Sequence, residues 1–340
     1  MALYLLLLLA VCCFGMKVTP FRQDALSVST TTAIKGIFAI IILFSHTKSY
    51  LDLSFSIPDR AFGWSMRYLG QLMVAPYFFY SGYGIMESIR HKADYVNGFF
   101  KKRILKTWFH FILAVLLFLI LQSILGNRFE TKQYVLCWIA WEDIGNSAWF
   151  VFTILSLYLM TYGVMLLQKR FCKSESFVAI LVSLLTVGLW LVLYPVKAEE
   201  HWWYDTLLVF PAGMWFSLLK EKVTPLPHRL WVVLSILSLL AFLLWRHFLG
   251  IDPYGICSIL FILALTAVVS FVKIDNAILQ WLGKCCFPIY ILQRIPMIAL
   301  SNTALVNKSL LFTGIILVSS LLLAWVFTKV TDRLDAKLFA

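Results

Sequence analysis

The chain has 340 residues, of which 61% are hydrophobic and only 14% charged, and its formal net charge is +12. A soluble domain of that size cannot hide so much apolar surface, and the apolar residues cluster in long runs, so lipid is the solvent for most of the chain. Most of the basic residues fall between the runs, where they report topology; a nucleic-acid-binding module would instead gather them on one soluble face, and no nucleic-acid partner is expected.

About eleven runs are long enough, or nearly so, to span a bilayer. They lie at roughly 2–16, 32–51, 68–88, 104–126, 148–168, 177–195, 204–219, 230–249, 253–272, 278–300 and 309–328. The first has no basic residue ahead of its apolar stretch, and Val11 before Cys12 spoils a lipoprotein cleavage site, so it reads as a helix. Lys17 and Arg22, the bases from Arg90 to Lys106, Lys169 to Lys173, Lys220 to Arg229 and Lys329 to Lys337 occupy alternate connections or the C-terminus. The positive-inside rule makes these cytoplasmic and puts the N-terminus outside. Acids such as Asp52, Glu142, Asp143, Glu200 and Asp252 collect in the opposite connections.

The predicted fold class is therefore all-α, a polytopic integral membrane protein with about 10–11 transmembrane helices in one bundle. Residues 1–30 read as an extra membrane helix and connection, 31–328 as one membrane domain, and 329–340 as a short cytoplasmic tail. The longest polar connection, about 127–147, is too short for a soluble domain, and no linker or convincing repeat interrupts the chain.

Within Thr32–His46 of the second run stand two ionisable residues, Lys35 and His46. Their spacing returns them to within about 20° of one helix face and about 16 Å apart along the axis. Lys35 is then at the cytoplasmic end and His46 toward the outside. Ionisable groups in a membrane helix mark function or face the bundle interior, and Arg294 in a later run falls under the same rule. A metal site is not expected: the histidines show neither HxxxH nor HExxH spacing, and the seven cysteines contain no CxxC. The Gly-x-Ser-x-Gly elbow of serine hydrolases is also missing.

Three blocks in order carry a resemblance: Ile34-Lys-Gly-Ile-Phe-Ala-Ile-Ile-Ile-Leu-Phe-Ser-His46, Pro76-Tyr-Phe-Phe-Tyr-Ser-Gly-Tyr-Gly-Ile-Met-Glu-Ser88, and Tyr95-Val-Asn-Gly-Phe-Phe-Lys-Lys-Arg-Ile-Leu-Lys106. With the tryptophan-led helix from Ser147 to Tyr158 and the segment Trp281-Leu-Gly-Lys-Cys-Cys-Phe-Pro-Ile-Tyr-Ile-Leu-Gln293, the chain resembles the acyltransferase-3 family of bacterial membrane acyltransferases over about 30–328. The resemblance implies transfer of acyl groups, mostly acetyl, from cytoplasmic acyl-coenzyme A to sugars or other acceptors at the membrane. Two positions depart from the family pattern. Lys35 stands where Arg is usual, keeping charge but losing the planar fork, and Ile154 stands where many members carry Glu.

These readings converge on an O-acetyltransferase of a bacterial inner (plasma) membrane, crossing it many times. An acyl thioester is already activated, so transfer chiefly needs the acceptor hydroxyl deprotonated, which a neutral imidazole does near pH 7; His46 is the predicted general base. Lys35 and Arg103 suit the phosphates of coenzyme A, and Ser81 a donor tunnel. His201, Trp202, Trp203 and Asp205 at the outer interface, with Trp149, Tyr290 and Gln293 in helices the resemblance marks, are the acceptor-binding candidates. Each has a plainer alternative: His46 as an interhelical hydrogen bond, Ser81 with Gly82 and Gly84 as close helix packing, Trp202 and Trp203 as the aromatic belt. No bound cofactor is expected; acetyl-CoA or another acyl-CoA is the co-substrate, and the partners are membrane lipids and a carbohydrate or glycolipid acceptor. A transporter or flippase for a polar lipid or anion is the alternative from another class, with Lys35 and His46 as a relay.

Overall fold

The computed structural model describes residues 2–22, 24–53, 56–223, 227–248, 254–274 and 276–339. The first half of the chain contains α1 (Ala2–Cys13), β1 (Met16–Val18), α2 (Val28–Lys48), α3 (Ile57–Leu69), α4 (Ala75–His91), α5 (Tyr95–Phe99), a π-helical stretch over Phe100–Leu105, α6 (Lys106–Ile124) and α7 (Thr131–Leu136). There follow α8 (Trp149–Phe171), α9 (Glu175–Val196), α10 (Val209–Val223), α11 (His228–Phe248), α12 (Tyr254–Phe271), β2 (Val272–Ile274), α13 (Ala277–Lys284), α14 (Cys286–Leu292), α15 (Arg294–Leu300) and α16 (Ser309–Leu338).

The protein is a polytopic helical membrane protein. Among the described residues six helices are long and apolar enough to cross a bilayer: α2, the continuous Tyr95–Ile124, α8, α9, α12 and α16. Helices close their own backbone hydrogen bonds, which is what hydrocarbon demands of a spanning segment. Leu184, Leu191 and Val192 of α9 and Leu322 of α16 lie exposed on the outside of the bundle, where lipid rather than water solvates them. Helix starts follow local chemistry. Ser27 caps α2 through Thr30 N and Ser174 caps α9 through Phe177 N. Asn276 does more: its Oδ1 accepts from Ile278 N at 2.9 Å while its Nδ2 donates to Val11 O and Phe14 O, fastening the end of α1 to the start of α13.

Several boundaries differ from those read in the sequence. Only 12 residues of the first run are helical, about 18 Å of rise, and the chain leaves α1 as strand β1, which pairs antiparallel with β2 in the register Lys17↔Lys273. The third run begins only at α4, because α3 is a separate amphipathic helix ahead of it. The tenth run, read as one span over 278–300, is three short helices. Pro288 and Pro296 cannot donate to the carbonyls four residues back, and the helix breaks at Cys285 and Gln293, three residues before each ring. Asp252, read as an outer acid, lies outside the described residues.

Two close crossings fix the helices that carry the site. A methyl added to Gly283 of α13 would strike Thr32 O, and one added to Gly36 of α2 would strike Leu279 O; α2 and α13 therefore touch backbone to backbone. Gly82 meets Phe210 O of α10 in the same way, whereas Gly84 has open space around it. In lipid, helix association relies on such close approach. Gly283→Val should therefore destabilise the protein by about 3 kcal/mol or more, overpacking a contact that cannot relax. The check is the thermal midpoint in detergent, with Gly188→Ala, whose methyl meets nothing, unchanged.

Candidate active site

Helix α2 places His46 in one cavity of about 360 Å³, the outer one on the sidedness expected from the basic connections, and Lys35 in another of about 900 Å³, the inner one. A narrow apolar throat of about 40 Å³ lies between them. Ile42, Val74 and Tyr290 line both throat and outer cavity, and Tyr77, Phe150, Cys286 and Phe287 line both throat and inner cavity. The three spaces thus adjoin in series along one face of α2. Tyr77 fastens the middle of this path, donating its hydroxyl to Lys35 O at 2.6 Å.

The inner cavity is basic. At the π-helical stretch Lys106 N bonds back to Lys101 O, a five-residue step that resets the helix face and brings Lys102, Arg103 and Lys106 to the cavity. Arg103 lies beside the hydroxyls of Tyr95 and Tyr158, and Tyr158 Oη is 2.7 Å from Ser81 Oγ. The acids nearby are already engaged. Glu87 receives Lys220 and Ser217 at 2.5 Å and Arg90 at 3.5 Å. Arg22 grips Asp24 with two bonds of 2.9 Å, which holds that carboxyl below its usual range. Asp335 of α16 takes Lys106 at 2.7 Å and His110 at 3.0 Å. Among the described residues Lys35, Lys92, Lys102 and Arg103 have no carboxylate partner, so the cavity keeps an uncompensated positive charge. Lys92, Lys102, Arg103 and Lys106 also line an adjoining lobe of about 940 Å³ together with Tyr95 and Phe339.

The outer cavity is mixed in charge and walled by tryptophans. Gln293 Nε2 donates to His46 Nδ1 at 2.9 Å, leaving Nε2 as the ring nitrogen available to the cavity. The connection after α6 folds over this end. A capping box of Glu130 and Gln133 starts α7, Ala140 turns the chain with φ 60°, and Trp141, Glu142, Asn146 and Ser147 reach the wall. Lys197 sits 4.3 Å from the Trp203 ring centre and 5.0 Å from that of Trp141.

Several of the residues singled out in the sequence meet here. Trp149, Trp202, Trp203 and Tyr290 line the outer cavity with His46, while Lys35, Ser81 and Arg103 line the inner one. Gln293 is fully buried behind His46 rather than in the wall. His201 and Asp205 bond to each other at 2.5 Å, and Asp205 receives Gln71 at 3.3 Å, so this pair holds the tryptophan loop from behind. Ile154, in the place of the family's Glu, lines the inner cavity as an apolar residue. Glu142, Glu200 and Lys102 went unremarked as site residues, because each already served as a topology signal, and Lys197 was not singled out at all. Among the described residues no group of three His, Cys, Asp or Glu side chains is arranged to hold a metal.

A helical membrane bundle with a basic chamber at one end, a histidine chamber at the other and an apolar throat between them is the architecture in hand. Residues 32–329 match the acyltransferase domain family known as acyltransferase-3, and the chain belongs to it. No curated protein and no solved structure matches the chain.

Proposed function

We propose that the protein is an O-acetyltransferase of a bacterial inner membrane, moving acetyl from cytoplasmic acetyl-CoA to a hydroxyl of a carbohydrate or glycolipid. The observation that carries this reading is the throat, which lies between the uncompensated cations and His46 and shares lining residues with both cavities. Phosphates of the donor sit among Lys35, Lys102 and Arg103, where charge-assisted bonds hold them. The slim pantetheine arm threads between Tyr77 and Phe150 and presents the thioester near His46. The acceptor lies against Trp149, Trp202 and Trp203, whose rings suit sugar faces.

In the reaction the acceptor oxygen attacks the thioester carbonyl carbon as its proton passes to His46 Nε2. The carbon–sulfur bond then breaks, and the imidazolium returns the proton to the coenzyme A sulfur. A base needs its lone pair on Nε2, hence a proton on Nδ1. A half-turn of the Gln293 amide supplies the matching acceptor: Oε1, buried without a partner as placed, then receives Nδ1–H.

Two tests follow. In sealed vesicles of known orientation, labelled acetyl should appear on acceptors at the outer face while coenzyme A stays inside; acceptor crossing unmodified establishes transport instead. Ala39→Leu, which fills the throat from α2, should lower transfer about tenfold or more while acetyl-CoA affinity changes less than about threefold, since donor phosphates bind below the block. Equal loss of binding and transfer, measured by donor titration and turnover, defeats the threaded-arm arrangement.

A further inference from the structure

Arg294 is the charge in the outer cavity that the transfer chemistry leaves unused. It opens α15, just after the break at Gln293, and lines the cavity close enough to His46, Tyr50 and Tyr290 to act on all three electrostatically. Its Nε is buried without a hydrogen-bond partner, and among the described residues no carboxylate pairs with it. Two of the cavity's acids are in ion pairs with lysines, and the third faces solvent. Glu142 takes Lys132 at 2.7 Å, Glu200 takes Lys197 at 3.1 Å, and Asp143, exposed at the rim, accepts from Gly145 N at 3.1 Å. A half-buried guanidinium with no carboxylate beside it is costly unless something anionic meets it. Asn146 Nδ2, in the same wall, is likewise buried without a partner, and the Tyr290 hydroxyl stands beside Ser147 and the Phe150 backbone.

Resting on the acyl-transfer reading, we propose that the acceptor is anionic: a hydroxyl compound with a carboxylate or phosphate close to the acylated oxygen. Arg294 receives the anion through its planar fork, and Tyr290 and Asn146 complete the polar contacts. A carboxylate or phosphate matches the guanidinium with two parallel bonds, which fixes the distance from the anion to the hydroxyl presented to His46. Regioselectivity follows, since only hydroxyls at that distance from the negative group reach the imidazole.

The experiment incubates membranes holding the full-length protein with labelled acetyl-CoA and separates base-labile labelled products by anion exchange, before and after phosphatase. Label is expected in the anionic fraction, and phosphatase distinguishes phosphate from carboxylate as its source. Arg294→Gln should reduce that labelling about tenfold or more, the worth of a lost charge-assisted contact, and Arg294→Lys should recover part of it. With the unmodified protein, methyl glucuronide or glycerol 1-phosphate should inhibit labelling competitively against the acceptor, while methyl glucoside and glycerol at equal concentration should not. Label confined to neutral products, or equal inhibition by charged and neutral probes, overturns the proposal. Retained labelling in Arg294→Gln overturns the role of the arginine. No His46-dependent label in any product defeats the acyl-transfer reading and the proposal with it.

Discussion

His46→Ala is expected to lower acyl transfer by about 10²–10⁴-fold, the usual range for loss of a general base, while the protein still inserts, stays monodisperse and binds acetyl-CoA. His46 does not line the inner cavity, so with the proposed donor placement its removal should leave donor affinity intact. Gln293→Leu tests the same machinery one bond away. Without its partner on Nδ1 the ring loses its fixed tautomer, so turnover should fall less than in His46→Ala and the pH profile of turnover should shift. Gln293→Glu, which restores an acceptor on Nδ1, should recover activity relative to the leucine variant. Near-normal turnover in His46→Ala, read as labelled acetyl transfer in nanodiscs, rules out the base assignment.

The second large effect concerns the donor. Arg103→Met and Lys35→Met should each weaken acetyl-CoA binding by about 10–100-fold, because a charge-assisted bond is worth about 1.5–3 kcal/mol when its partner is a phosphate. Lys35→Arg keeps the charge and regains the family's planar fork, so it should bind donor at least as well as the native chain. Binding should weaken with ionic strength in the native protein and do so less steeply in either methionine variant. The measurement is a donor titration in nanodiscs at two salt concentrations. Equal affinity across all these variants removes the phosphate anchor from the inner cavity. Lys106 adds a contrast: Asp335 already holds it at 2.7 Å, so an incoming phosphate must displace a carboxylate there, and Lys106→Met should weaken the donor less than Arg103→Met.

Helix period and hydrophobicity are local properties, and what depends on them is legible in the chain. The long apolar runs mark the spanning helices because lipid forces backbone hydrogen bonds to close within each segment. The common face of Lys35 and His46 follows from spacing alone, and the two do line chambers at opposite ends of α2. The break of 278–300 into three helices was written in Pro288 and Pro296, but the predominantly apolar character of the stretch hid it. The π-helical stretch over Phe100–Leu105 has no such signature. It joins α5 to α6, and Lys102, Arg103 and Lys106 at this stretch reach the cavity while Lys101 does not line it.

By itself the sequence determined a polytopic helical membrane protein, the alternation of its basic connections, and the pairing of a cation with a histidine on one helix, since each rests on composition or on spacing within one segment. Only the tertiary structure decided what surrounds that histidine. Gln293 comes to His46 Nδ1 from 247 residues away, Arg294 follows it into the cavity, and the connection carrying Trp141 and Glu142 folds across the outer end. It likewise decided which charges are free: Lys106 and Lys220 read in the sequence like Lys35 and Lys102, yet they are held by Asp335 and Glu87. A charge's partner is set by which helices lie side by side, and helix adjacency in lipid is set by close packing at residues such as Gly36 and Gly283, a contact between distant segments that no local pattern encodes.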